Sequence, residues 1–269
     1  MKKNWTGERL ETHIYNYNTI EHLHRYAMAT QLVTDKIVLD IASGEGYGSN
    51  LLSKFSKKVY GVDISAETIE LASKKYLKNN LQFKVGSTSN IPIPDNTIDV
   101  VVSFETIEHH NQHEEMMNEI VRVLKKDGML IISSPDKKYY SDIPKYKNPH
   151  HIKELYRNEF EEIIKKHFSH SLFFLQKMVY GSLIVKEDFT GNINAFKGSY
   201  NEIVKADDFQ GTYNLCIASN ASLKDFPSSI FDGSDIFGHQ IEAAKELVKQ
   251  SWRYRIGNFL LSPMKLFKK

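Results

Sequence analysis

Glu105, Glu108 and His109 stand together, and a second imidazole pair, His150 and His151, arrives about forty residues later. Carboxylate oxygens beside imidazole nitrogens suit a divalent cation. If the chain turns helically at Glu105, residues three and four apart share one face, so Glu105, Glu108 and His109 would point the same way. The same imidazole could instead serve as a general base, because its proton affinity lies near neutrality. A purely structural role is the third reading. His110 and His113 read as solvated loop residues.

A second cluster lies upstream. The segment 37–48, IVLDIASGEGYG, is an apolar run ending in Asp40, followed by Gly44, Gly46 and Gly48 in alternation. Fifteen residues past Gly48, the run Val59–Asp63 ends in another carboxylate. Glycines let a backbone turn sharply and approach a ligand, and a helix that follows offers free N–H groups. A carboxylate closing the second strand can hold the two vicinal hydroxyls of a ribose. The spacing is G-x-G-x-G, unlike the G-x-G-x-x-G of a dinucleotide site. An acid at Asp40 would repel a pyrophosphate but suits a ligand carrying an ammonium group. S-adenosylmethionine has a sulfonium, an amino-acid end and a ribose. The competing readings are a chance glycine-rich turn and a nicotinamide enzyme.

Alternating strands and helices must position these groups. The spacing predicts a helix over 19–33, strands at 37–42, 58–63, 81–85, 98–104 and 129–134, and helices over about 46–55, 65–78, 113–125 and 158–167. Ser65 reads as an N-cap, and Asp127-Gly128 as the close of the fourth of these helices. Strands are further expected at 171–180 and 213–219. The fold class expected is α/β, a Rossmann-like doubly wound seven-stranded sheet with an antiparallel edge strand, plus an N-terminal helix, an insertion and a C-terminal helical extension. The segments would be 1–35 as a cap, 36–220 as the domain, with 181–211 inserted, and 221–269 as the extension.

The chain has 269 residues, enough for one large domain, and its 41% hydrophobic and 25% charged content is that of a soluble globular protein. A net charge of +2 gives no sign of nucleic-acid binding. The single cysteine, Cys216, excludes an internal disulfide and fits a reducing, cytoplasmic compartment. The N-terminal residues do not read as a secretory signal, and no apolar run is long enough to span a membrane.

The glycine turn with its two acids resembles the class I S-adenosylmethionine-dependent methyltransferases over roughly residues 1–180. That resemblance implies S-adenosylmethionine as cofactor. Asp40 would hold the methionyl ammonium directly or through water, with Ala42 and the backbone at Ser43, Gly44 and Gly46 along the methionyl part. Asp63 would hold the ribose, Ile64 would pack on the adenine, and Ser87, Thr88 and Phe104 would complete the site. Arg25 would pair with the methionyl carboxylate or, equally, belong to a solvated helix face. The segments Gly7–Arg9 and Glu21–Tyr26 would cap the site. The E-x-x-E-H run is similar to that of metal-dependent O-methyltransferases acting on small-RNA ends or in ubiquinone biosynthesis. By that likeness Glu105, Glu108, His109 and His151 would be catalytic ligands of Mg²⁺ or another divalent cation, His151 being preferred to His150 for its spacing to Glu154.

The last eighteen residues, 252–269, carry five basic residues and no acid among aromatic and aliphatic ones. Such a segment suits an anionic membrane face, or contact with a glycosyltransferase or other partner. It equally suits a packing helix with snorkelling lysines. The tail resembles those of bacterial surface-polysaccharide proteins. The function expected is therefore O-methylation of a sugar hydroxyl in lipopolysaccharide, capsule or related glycan assembly, in the cytoplasm or at the inner membrane face. The alternatives are an RNA ribose or a phenolic metabolite as acceptor, and a cofactor-binding partner subunit without turnover.

Overall fold

The computed structural model describes residues 10–13, 15–179, 181–186, 196–199, 202–205, 211–256 and 258. The expectations for Gly7–Arg9 and for residues 259–269 lie outside these.

The chain opens with α1 (Tyr17–Thr30), capped by Asn16, whose side chain accepts from Thr19 N–H. There follow β1 (Ile37–Ile41), α2 (Tyr47–Leu52), β2 (Lys58–Asp63), α3 (Ala66–Lys75), β3 (Leu81–Val85), β4 (Ile98–Ser103), α4 (His113–Val123) and β5 (Leu124–Pro135). Ser65 caps α3 through Thr68 N–H. A short π-helical turn, Lys138–Asp142, precedes α5 (Arg157–His167). The chain closes with β6 (His170–Val179), β7 (Gly181–Lys186), β8 (Phe196–Ser199), β9 (Glu202–Lys205), β10 (Tyr213–Ser219), β11 (Ser229–Phe231) and α6 (Ser234–Gln250).

The main sheet has nine strands in the order β11-β7-β6-β10-β5-β4-β1-β2-β3. Strands β1 to β5 pair in parallel, as right-handed strand–helix–strand connections require. The seven-stranded expectation is corrected in two ways. First, β10 is antiparallel to both β5 and β6 and lies inside the sheet, not at its edge. Secondly, the stretch expected to be an insertion begins with β7, which pairs with β6, and β11 from the C-terminal extension pairs with β7. Strand β7 covers the row of backbone donors and acceptors that β6 would otherwise expose, and β11 covers part of that of β7. Strands β8 and β9 form a separate hairpin. Asp127-Gly128 does not cap α4, which ends at Val123. It falls inside β5, where the register to β4 shifts between Ile98 and Val100.

Alternation along β4 sends Val101 to one face and Val100 and Val102 to the other. On the first face α4 and α5 contribute Met116, Met117, Ile120, Phe160 and Ile164. On the second, α1 and α2 contribute Tyr26, Met28, Ala29 and Leu52. The sheet is thus covered on both sides, and the carboxyl ends of β1, β2 and β4 open onto one cavity, where ligands of such sheets bind.

Candidate functional site

A cavity of about 310 Å³ lies over those strand ends, lined by Ala42, Ser43, Gly44, Asp63, Ile64, Ser87, Thr88, Phe104 and Glu105, among others. The turn after β1 needs left-handed backbone at Ala42 (φ 60°) and Gly44 (φ 52°). A Cβ added at Gly44 would meet nothing within 4 Å, so this glycine faces open space. Gly46 is different. Its φ is 87°, and a Cβ there would stand 2.6 Å from the Phe83 ring, so it serves packing and does not line the cavity. Gly48 would collide with the Tyr26 ring at 1.9 Å. The last two glycines of the alternation therefore seat the turn on the body of the protein.

Asp63 clamps the turn. Its Oδ2 accepts from Gly44 N–H at 2.9 Å, and its Oδ1 from Ser65 N–H at 2.9 Å. Carboxylate oxygens have lone pairs to spare, so the group can still accept from hydroxyls in the cavity. Ile64 beside it is 72% exposed, an apolar face at the cavity rim.

Asp40 does not line the cavity. Its carboxylate is buried and accepts from Ser49 Oγ at 2.6 Å and from Tyr26 Oη at 3.2 Å. Burial pushes its proton affinity up to about 7, against the pull of those two donors. A direct contact to an ammonium is thereby replaced by Tyr26, which lies between Asp40 and the cavity. Arg25 is also placed elsewhere than expected. It is 0% exposed and lines no part of the cavity. Its Nε donates to Gln176 Oε1 at 2.7 Å, its Nη1 lies 3.3 Å from Glu105 Oε1, and its guanidinium stacks over Tyr213 at 4.3 Å. Glu21 joins this buried network by accepting from Tyr213 Oη at 2.8 Å, and burial raises its carboxyl to about 7. Arg25 thus pairs with a protein carboxylate and knits α1 to β6 and β10.

Beyond β4 the expected four-residue set separates. Glu105 takes a left-handed conformation (φ 49°), and its carboxylate accepts from Ser133 Oγ at 2.7 Å. The helical turn begins only at Ile107, so Glu105 does not share a face with Glu108. Glu108, His109 and His151 do converge: each offers a ligand atom, and these atoms lie within 4.8 Å of one another. Both carboxylate oxygens of Glu108 are buried with no hydrogen-bond partner, in a side chain 0% exposed. Burial, then the Glu105 charge, holds this carboxyl well above the usual carboxylate range. His109 Nδ1 pairs with the His150 carbonyl oxygen at 3.0 Å, and His151 Nδ1 with Glu154 Oε1 at 2.6 Å. Acceptors at both Nδ1 atoms require protons there and leave a lone pair on each Nε2, the tautomer a metal-binding histidine needs. Asn148 Nδ2 donates to His151 Nε2 at 3.0 Å and would give way to an ion. The Glu108 carbonyl accepts from Ile152 N–H at 2.9 Å and Lys153 N–H at 3.1 Å, tying the His151 loop to the same turn.

The cavity is also lined by His22, Tyr26 and Tyr47, and Tyr47 Oη pairs with His22 Nδ1 at 2.9 Å. Sequence reasoning assigned none of these three as cofactor ligands. The i, i+4 spacing of His22 and Tyr26 on a helix was the signal that could have found two of them.

With this geometry in place, comparison with known proteins adds a likeness over part of the chain. Residues 39–132 match the family model described as a methyltransferase domain. The matched segment starts on β1 and ends on β5, so it contains the glycine turn, Asp63 and Glu105–His109. A probable S-adenosylmethionine-dependent methyltransferase of Mycolicibacterium smegmatis is 30% identical over 165 residues, 60% of this chain and 63% of that protein. The mitochondrial ubiquinone biosynthesis O-methyltransferase of Schizosaccharomyces pombe is 27% identical over 135 residues, 48% of this chain and 49% of that one. The chain spans about three fifths of the length of the first curated relatives it matches. Among solved structures, a Thermotoga maritima protein described as an S-adenosylmethionine-dependent methyltransferase, possible histamine N-methyltransferase, superposes with a TM-score of 0.54 at 18% identity. That superposition covers 76% of this chain and 90% of the other and shows a shared α/β Rossmann-like fold with a mixed sheet. S-adenosylmethionine is the cofactor expected of a methyltransferase domain. Among the described residues no helix is long and apolar enough to cross a membrane.

Proposed function

We propose that this chain is an S-adenosylmethionine-dependent O-methyltransferase whose acceptor is a sugar hydroxyl in glycan assembly, assisted by a divalent cation. The observation that carries the chemistry is the buried Glu108 carboxylate, without a hydrogen-bond partner, facing two histidines whose tautomers suit a cation, beside a cavity built on the methyltransferase-domain turn.

The residues present fit the cofactor. Gly44 opens onto free space, and Ser43 Oγ, buried at the cavity wall, has no hydrogen-bond partner of its own. Asp63 would accept from the ribose hydroxyls, and Ile64 would cover the adenine. Tyr26 and Tyr47 would wall the methionyl end. When bound, the cofactor supplies an electrophilic methyl on a sulfonium. The donor set of Glu108, His109 and His151 fits a divalent cation, which would lower the pKa of an acceptor hydroxyl. Glu154 and the His150 carbonyl hold the two imidazoles in place.

A second reading is supported by His109 itself, which lines the cavity and carries a lone pair on Nε2: it would take the hydroxyl proton as a general base without a cation. The sugar acceptor is supported by the likeness of the N-terminal segments and the tail to surface-polysaccharide proteins. Trp252, Tyr254 and Ile256, exposed at the start of that tail, would meet a membrane face or partner enzyme.

Incubation with labelled cofactor and nucleotide-linked sugars tests the proposal, with chelator and with Mn²⁺ restored. Acceptor-dependent S-adenosylhomocysteine release that chelator abolishes and Mn²⁺ restores is the expected result. Turnover unchanged by chelator selects His109 as base, and failure to bind S-adenosylhomocysteine removes the methyltransferase reading.

A further inference from the structure

We infer that a second cavity, on the far side of His151 from the cofactor cavity, binds the diphosphate-bearing end of the methyl acceptor. This inference rests on the methyltransferase reading above and names the substrate class for that site. The cavity has a volume of about 550 Å³ and is bounded by the π-helical turn, the loop after it and residues 151–154. Four lysines line it: Lys137, Lys145, Lys147 and Lys153.

The charge there is unbalanced. The two carboxylates in the lining, Asp142 beside Tyr156 Oη at 2.9 Å and Glu154 beside His151 Nδ1 at 2.6 Å, offset only part of the charge of the four lysines. Among the described residues Lys145, Lys147 and Lys153 form no ion pair with a carboxylate. Like charges gathered around a concavity repel one another and raise the local concentration of anions. Compact ammonium groups on flexible stems suit phosphate oxygens, which they meet as point charges from several sides. Tyr146 lines the same cavity and is 51% exposed, a ring against which a sugar can stack.

Position decides which molecule this serves. His109 lines the cofactor cavity and His151 lines the lysine cavity, and the two rings meet edge to face with centroids 5.1 Å apart. The histidine pair is therefore the partition between the two spaces. A molecule anchored by its diphosphate among the lysines would present its other end at that partition, beside Glu108. A diphosphate-linked sugar meets this geometry, with its charge held remotely and a hydroxyl at the reacting position.

The test is calorimetry on the full chain in chelating buffer, so that no metal ion bridges to the probe. Inorganic pyrophosphate, uridine diphosphate glucose and S-adenosylhomocysteine are titrated separately into the wild type. The same titrations use the Lys145→Ala/Lys147→Ala/Lys153→Ala protein and the corresponding triple Lys→Arg protein. Pyrophosphate is expected to bind saturably, to weaken about 30-fold in the alanine protein and to recover within about 3-fold in the arginine protein, since charge and not shape carries the contact. S-adenosylhomocysteine affinity should stay within about 2-fold in all three, as those lysines lie outside the cofactor cavity. No saturable pyrophosphate binding, or equal binding by the alanine protein, overturns the inference. Pyrophosphate binding with no S-adenosylhomocysteine binding overturns the methyltransferase reading and with it the acceptor assignment, leaving an anion site. Uridine diphosphate glucose binding more than about 10-fold tighter than pyrophosphate marks a nucleotide-borne sugar, and equal binding marks a diphosphate read alone, as on a lipid carrier.

Discussion

The loops leaving β1 and β4 face the same cavity and are built on opposite terms. Each breaks its strand with a left-handed residue that is not glycine, Ala42 in one and Glu105 in the other. The β1 loop is complete as it stands. Its buried acid, Asp40, is met by Ser49 and Tyr26, and Asp63 already grips Gly44 N–H. The β4 loop is not, because Glu108 is buried with both oxygens unmet while Glu105 is held by Ser133 and Arg25. A loop that binds through its backbone can be finished before its ligand comes. A loop that is to bind a cation through side chains, as proposed for this one, must hold an electrostatic vacancy until the cation arrives.

Four changes sharpen or break that contrast, and the largest concerns Asp40. Its carboxyl is raised to about 7, so the folded state holds a proton that the unfolded state releases near 4. Stability from this group is full below about pH 4 and is lost as pH rises to about 7, by on the order of 4 kcal/mol. Asp40→Asn should remove that slope. Urea unfolding at pH 4 and pH 8 checks it, and parallel pH profiles in the two proteins would refute the burial argument.

Next, Asp63→Ala should weaken S-adenosylhomocysteine about 100-fold by calorimetry, for two charge-assisted hydrogen bonds of about 1.5 kcal/mol each. Its Mn²⁺ affinity should not change. The reverse holds at the β4 loop. Mn²⁺ at 100 times its dissociation constant should stabilise the wild type by about 2.7 kcal/mol, and Glu108→Gln should lose that gain while keeping S-adenosylhomocysteine binding. A thermal melt with and without Mn²⁺ separates the two proteins, and an equal shift in both would place the cation elsewhere. The smallest effect is Gly48→Ala, whose methyl group meets the Tyr26 ring, at about 2 kcal/mol of stability, with cofactor affinity lowered as well because the displaced ring walls the cavity.

The contrast also marks what the sequence made legible. The strands of the parallel half and the glycine turn showed because each is a local pattern of apolar runs, caps and turn residues. His151, chosen over His150 for its spacing to Glu154, stands against that glutamate, whereas His150 supplies only its carbonyl to His109. Glu105 misled because a helical turn was assumed where the backbone turns left-handed, and no spacing rule carries that sign. Arg25 misled for a different reason. Its partners, Gln176 and Tyr213, are some 150 and 190 residues away in sequence, so its burial follows from β6 and β10 folding over α1. Strand β7 was hidden by the glycines around it, which suggested an insertion, although it pairs with its sequence neighbour β6, Val179 opposite Gly181.

One peptide oxygen has a wider meaning. The Glu108 carbonyl receives the N–H groups of both Ile152 and Lys153, so the lysine-lined loop and the buried acid are tied at one peptide. Should steadying one steady the other, the symmetry of coupled equilibria makes the help run equally in both directions. An ion loaded first would ready the berth for the anion, and an anion berthed first would sharpen the grip on the ion.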